Sequence, residues 1–478
     1  MNLPARGTDL LIVASRTPGE VRYALRQRGC TTDVVIMRDG GHPYGSIHLG
    51  RVVEMLSGGA ALVDIGGARP GFLPFETPSA AMLAAAPGAP SVGSTLLVQV
   101  AQEERTGKGA KLSRHIRLAG VLTVLSPLRA GVAVSRYLTS ENERQRLVAM
   151  VRPWLTAAEG VVIRRQAAGT TPLLLRAEID SLRQRWQTFR AVAESSSPPT
   201  CLDAGVDPLA ELFERALAHG DGGSHAITIV CDAAMLLARA RALSQQLEHA
   251  ATVRLDLASG LASGVLFQDI EDDIAAALER EVPLAGGGRL CIESTAALTA
   301  IDIDTAAAGL GAADAVNQAA VAAIAWQMRL RNLSGALVVD FIRRRAGERL
   351  HRVVAALRSA VAGDPLPVRV SGPSPSGLVE MIRDRRRAPL ADLLQQNYLC
   401  CSGTPMTVGL SALRLVLREA TAQRCAGLGL EVAPVVAEVL AGPLAAAVTE
   451  TEGYLGHRLV IRTSPVRRAD DVAVIVPS

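Results

Sequence analysis

The pattern that most constrains this chain begins at residue 288. A strand-like run, GRLCIESTAALTAIDID, gives way to an Ala-rich helical stretch at 312 to 331 and then to a second apolar run, GALVVDFI. An Arg-rich helical stretch at 343 to 361 and a third apolar run, LPVRVSG, follow. Strands alternating with helices predict an α/β layer in which strand, crossover helix and next strand form a parallel, right-handed unit. The ends of the two strands then emerge on one edge of the sheet. Each end carries an acid: Asp302 and Asp304, two apart and therefore on one face of LTAIDID, and Asp340 in LVVDFI.

A strand-end aspartate can simply cap a neighbouring loop. Carboxylates that converge are another matter, because they stay charged at low cost only when a cation sits between them, and a hard divalent ion with oxygen ligands is the natural one. Magnesium held by Asp302 and Asp340, with Asp304 as an accessory acid, would keep several waters, offer one to a phosphodiester and neutralise the phosphate under attack. Basic residues crowd the same region: Arg343, Arg344, Arg345 and Arg349 after Asp340, then Arg383, Arg385, Arg386 and Arg387 in MIRDRRRAPL. Each run alone reads as a solvated helix face. Beside a metal site they read as a track for a phosphate backbone.

A chain of 478 residues, 49% of them hydrophobic, exceeds a single core and predicts several domains. DLLIVA at 9 to 14 and DVVIM at 33 to 37 read as short strands around a polar, basic segment; HAITIVCD at 225 to 232 is a candidate to complete their sheet. Between them, short runs separated by glycines over 45 to 125 suggest a small barrel of the OB type, on which Phe72 and Phe75, with Lys108 and Lys111, are candidates for stacking and phosphate contacts. Spacing alone equally allows the phenylalanines to be barrel core. Helical periodicity covers 141 to 156 and 177 to 194, SSSPPT punctuates 195 to 200, and a smaller α/β unit follows Cys401, opening on LSALRLVLREA.

The net charge of +4 permits an acidic partner without requiring one. Seven scattered cysteines without a C-x-x-C pair fit a reduced compartment. With neither a signal-peptide pattern nor an apolar run of membrane length, a cytoplasmic address without a membrane span is expected.

Taken in order, GGAALVDIGGARPGFLPF, VQVAQEERTGKGAKLSRHIRLAG, ESTAALTAIDID, RLRNLSGALVVDFI, GLVEMIRDRRR and YLGHRLVIRTSP resemble the ribonuclease E/G family over nearly the whole chain. The resemblance implies a compact magnesium-dependent endoribonuclease acting on single-stranded RNA, with a multidomain α/β fold. An RNase H-like part (1–38 and 216–284) would be interrupted by an OB-type barrel (39–125) and a sensor for the RNA 5′ end (126–215). A DNase I-like catalytic domain (285–397), a zinc-link (398–406) and a small C-terminal domain (407–478) would follow.

The family's metal-binding aspartates fall on Asp302 and Asp340, and a position usually Asn is Asp304. Its aromatic and basic barrel contacts fall on Phe72 and Lys108, while its second aromatic is Leu62 here. The 5′-monophosphate pocket falls on Arg165, Gln166, Gly120 and Val124, with Gln166 replacing a Thr and Pro375 replacing an additional Arg, so weak 5′ sensing is expected. YLCCSGTP stands where the family has a paired-cysteine motif. Cys401 matches and Cys400 is its neighbour, so a shared Zn²⁺ is expected to be strained or absent. A homodimer or higher oligomer would then rest on protein surfaces, with the apolar helix at 410 to 417 as the candidate. These altered positions leave an RNA-binding protein with weak or lost catalysis as the alternative.

Overall fold

The computed structural model describes residues 10–75, 90–218, 225–246, 251–258, 261–305, 313–343, 348–397, 400–422 and 427–476. The chain divides into two compact units. The first comprises Met1–Asp39, Arg215–Arg241 and Val253–Ser478, the second Gly40–Glu214 and Ala242–Thr252. The reason for this interleaving lies in one sheet. Strand Leu10–Thr17 pairs in parallel with His225–Cys231, some two hundred residues later in sequence, within the order Ala251–Leu257, His225–Cys231, Leu10–Thr17, Glu20–Gln27, Cys30–Arg38.

The segment Glu20–Gln27, expected as a polar connector, is itself a strand, antiparallel to both neighbours. Two of its polar residues, Glu20 and Arg22, are buried and so hide the apolar alternation. Glu20 is fully buried and accepts hydrogen bonds from Arg22, from Arg38 at 3.2 Å and from Arg414 at 3.0 Å. Asp33, also fully buried, binds Arg215 at 2.7 Å and Arg329. These guanidinium groups hold its carboxyl well below the usual carboxylate range despite burial, which pushes the other way. Two distant stretches of the first unit are thereby tied to its N-terminal sheet.

That unit's six-stranded sheet runs in the order Glu281–Pro283, Arg289–Ser294, Leu298–Asp304, Gly335–Asp340, Val379–Arg383, Val368–Pro373. The single strand expected from 288 to 304 is a hairpin, closed where Thr295 donates its amide to the Leu298 carbonyl at 2.9 Å. Helices Ala313–Leu330 and Glu348–Val361 carry one face. Leu290, Ile292, Ile301, Ile303, Leu337, Val339, Val379 and Met381 share a core with Val316, Ala320, Ile324, Val354 and Leu357 from the helices. Because strand side chains alternate, the residues between those apolar ones lie on the opposite face.

The first unit also holds a three-stranded sheet, Val460–Thr463, Gly429–Val432, Ala473–Ile475, with helices Pro405–Ala422, Pro434–Ala441 and Ala445–Leu455. The apolar helix expected to need another copy finds its cover here. Leu410, Leu413 and Val416 are buried against Leu430, Val436 and Leu440 of the same chain.

In the second unit, strands Ile47–Leu56, Ala60–Asp64, Gly71–Pro74, Lys111–Ser113 and Thr95–Gln102 form a ring, closed by pairing of the first with the last. This five-stranded barrel, OB-like in form, is filled by Val52, Ala61, Val63, Leu73, Val98, Val100 and Leu112. A four-stranded sheet follows, in the order Gly131–Val134, Gly160–Ile163, Thr123–Ser126, Leu118–Ala119. Helix Pro172–Ser195 starts five residues before the expected 177, because Thr171 caps it by accepting the Leu174 amide and Pro172 suits the first turn. Its buried Leu175, Ile179 and Leu182, spaced to recur on one helix face, join the core with Leu125 and Val161.

Candidate active site

Leu298–Asp304 and Gly335–Asp340 are parallel neighbours in which Asp302 is the register partner of Asp340. Register partners of adjacent strands point to the same face, about 4.8 Å apart along the hydrogen-bonding direction. That face is the one without helices, since Ile301, Ile303 and Val339 occupy the other. Asp302 is exposed and the Asp340 side chain is 47% exposed, so the pair stands open to solvent at a sheet edge. The segments that follow each strand, 306–312 and 344–347, lie outside the described residues.

Two hard oxygen donors side by side match what magnesium asks of a protein: one or two carboxylates, with waters and substrate phosphate completing the shell. Among the described residues no group of three or more His, Cys, Asp or Glu side chains gathers as a metal site. Asp304, on the same face, is ion-paired at 3.0 Å with Arg289 on the adjacent hairpin strand.

Just past Asp340 the chain is fixed by Asn317, which sequence reasoning did not single out. Buried on helix Ala313–Leu330, it donates to the Ile342 carbonyl at 2.9 Å and accepts the Ile342 amide at 3.2 Å. Its signal was an amide side chain within an otherwise apolar helix face. Arg343 next in line lies 3.7 Å from Asp340 and donates to the Ser376 carbonyl at 3.0 Å, in the loop that carries Pro375.

The basic residues of the track are not all at the surface. Arg383 is not at the surface. It is 1% exposed and binds both oxygens of buried Asp364, at 3.1 and 3.0 Å, and the Leu333 carbonyl at 3.0 Å. Arg387 is buried too, and Arg385 donates to the Ser334 carbonyl. Arg383, at least, is a structural cation. Arg344 and Arg345 lie outside the described residues, as does the side chain of Arg349.

On the barrel, the two phenylalanines part company. Phe75 packs against the core, whereas Phe72 is 40% exposed. Leu62 is the cross-strand partner of Phe72 on one side, and Lys111 is its partner on the other. Lys108 sits in the preceding turn, where it and Arg105 exchange backbone hydrogen bonds. Of the two candidate lysines, Lys111 is thus the one placed beside Phe72. Gly109 makes this possible, since a Cβ there would come within 2.3 Å of the Pro70 carbonyl oxygen.

Gly120 and Val124 flank a turn whose amides already hold an anion. Glu178, from helix Pro172–Ser195, accepts from the amides of Val121, Leu122 and Thr123 and from the Thr123 hydroxyl, at 2.7 to 3.0 Å. A Cβ on Gly120 would lie 2.5 Å from that carboxylate, and the Gly120 amide donates to the Thr123 carbonyl. Arg165 and Gln166 share the short helical turn Arg165–Ala167, in which Gln166 is buried. No part of this signal was legible beforehand, because Glu178 lies more than fifty residues from the turn it fills.

Cys400 and Cys401 lie in the strand Cys400–Gly403, paired antiparallel with Gln395–Asn397; their side chains fall outside the described residues. No helix among the described residues is long and apolar enough to cross a membrane.

Comparison with known proteins gives a consistent picture. Residues 117–386, over half the chain, match the model of the Ribonuclease E/G family. Ribonuclease G of Haemophilus influenzae is 29% identical over 492 aligned positions, covering 96% of this chain and 98% of that protein. Ribonuclease G of Escherichia coli strain K12 is 29% identical over 490, covering 97% and 99%. Ribonuclease E of the same strain is 32% identical over 391, covering 76% of this chain and 36% of the longer relative.

Proposed function

Because the chain belongs to the ribonuclease E/G family, we propose that it is an endoribonuclease that cuts single-stranded RNA in RNA processing or decay, with Asp302 and Asp340 holding magnesium. The observation that carries the metal assignment is the register pairing of these two carboxylates on the open face of a sheet whose other face is sealed by helices. A bound magnesium ion supplies Lewis acidity for hydrolysis of a phosphodiester and charge neutralisation at the phosphate. The protein's part is to hold the two carboxylates at one edge, to fix the chain beyond Asp340 through Asn317, and to keep Arg343 beside the pair. Phe72 and Lys111 offer a base-stacking face and a phosphate contact on the barrel.

In the same reading, the interleaved N-terminal sheet corresponds to the family's RNase H-like part, the four-stranded sheet and its helices to the 5′ sensor, and the six-stranded sheet to the DNase I-like domain. Since Glu178 satisfies the turn amides and Gln166 replaces the usual Thr, the sensor contributes little to a 5′ monophosphate.

The test is cleavage of a labelled single-stranded RNA by the full chain, with magnesium and with EDTA. Asp302→Asn and Asp340→Asn should each abolish magnesium-dependent cutting while RNA binding persists. Equal cutting by the wild type and both variants would remove the metal assignment.

A further inference from the structure

On the open face of the six-stranded sheet, a third carboxylate stands close to the metal pair. Asp304 shares its strand and face with Asp302, two residues on, which places them roughly 6.8 Å apart along the strand. An acid at that position would be drawn to a divalent ion. What stands against this is Arg289, the register partner of Asp304 across the hairpin. Its guanidinium binds the Asp304 carboxylate at 3.0 Å and the Glu281 carboxylate at 3.1 Å.

The order of strands gives the pair its consequence. The Arg289 strand lies on one side of the Asp302–Asp304 strand, and the Asp340 strand lies on the other. A bond to Arg289 therefore turns Asp304 away from Asp340. Two of the guanidinium nitrogens are engaged by carboxylates of two different strands, which fixes the arginine from both sides. Gly288 lets this happen at close range, because a Cβ there would meet the Asp304 carbonyl at 2.9 Å and Val316 at 2.5 Å.

We infer that Arg289 is a positioning residue that holds Asp304 out of the metal's ligand set, so that the site operates with two carboxylates rather than three. The inference rests on the proposal that Asp302 and Asp340 bind the ion. Without Arg289, the Asp304 carboxylate would bring its negative charge nearer a divalent cation held by Asp302 and Asp340 and tighten its binding.

Manganese, whose free ion is read by electron paramagnetic resonance, is the probe, titrated into the full chain without RNA. Asp304→Asn should leave the manganese affinity within about twofold of wild type. Arg289→Gln should tighten it roughly fivefold or more, Arg289→Lys should stay near wild type, and the Arg289→Gln/Asp304→Asn double variant should return to it. Circular dichroism establishes that each variant is folded. A tenfold weakening in Asp304→Asn would make Asp304 a ligand and overturn the inference. So would an Arg289→Gln affinity equal to wild type. Asp302→Asn is the separate control: if it binds manganese as well as wild type, the metal assignment itself has failed, whatever Arg289 does.

Discussion

Replacing Arg383 with Met separates a structural arginine from an RNA-binding one. Arg383 and Asp364 are 1% and 2% exposed, and the guanidinium also satisfies the Leu333 carbonyl. The substitution removes the guanidinium from a buried carboxylate that also accepts the Leu366 amide at 2.8 Å. Removing one member of such a pair costs about 3–5 kcal/mol. With a urea dependence of about 3 kcal/mol per M, the unfolding midpoint of the first unit should fall by about 1 to 1.7 M. Trp326 reports on that unit, being buried with its indole N–H on the Thr31 carbonyl at 2.8 Å. A Trp154→Phe/Trp186→Phe background leaves it as the sole tryptophan of three. RNA affinity measured against salt supplies the contrast. Each phosphate contact on a single strand contributes about 0.7 to the slope; Arg383→Met should leave the slope unchanged, while Lys111→Ala on the barrel should lower it by about that amount. A slope lowered by about 0.7 in Arg383→Met, with the urea midpoint unmoved, would refute the reasoning and return Arg383 to the RNA track.

Phe72→Ala should weaken single-stranded RNA binding by about 1–3 kcal/mol, read by fluorescence anisotropy, without the loss of stability expected from Phe75→Ala; equal RNA affinity would deny Phe72 a stacking role. A 5′-monophosphate substrate should be cut less than about tenfold faster than its 5′-hydroxyl counterpart, a difference of about 1.4 kcal/mol, and a larger stimulation would show that the sensor pocket is intact despite Gln166. His48, 1% exposed in the barrel with Ser46 at 2.9 Å, is pushed down to about 4 by burial and then by His42, from an ordinary 6.5. The unfolded chain therefore takes up this proton at higher pH than the folded chain does. Its stabilisation is fully present above about 6.5 and is lost as pH falls towards about 4, so His48→Gln should flatten that part of the stability profile of the second unit, and an unchanged profile would contradict the assignment.

What could be read from the sequence followed from alternation, and what could not followed from distance along the chain. Asp302 and Asp304 were legible because Ile301 and Ile303 mark the inward face, and Asp340 because a crossover helix of the right length separates it from them. The same rule, applied to VEMIR, places Val379, Met381 and Arg383 inward together. Arg383 reads as part of a solvated basic patch because of the arginines that follow it, although alternation along the strand turns it inward. Glu178 and Arg289 are different in kind. Nothing local marks the first as the anion that fills a turn at 121–123, and the second becomes visible only once a presumed single strand is seen to be a hairpin that brings residue 289 opposite 304. The functional consequences diverge in the same way. Two carboxylates at a sheet edge can be inferred from a pattern, but whether a third acid joins them is decided by which cation the tertiary fold has set beside it, and here that cation lies on the side away from Asp340.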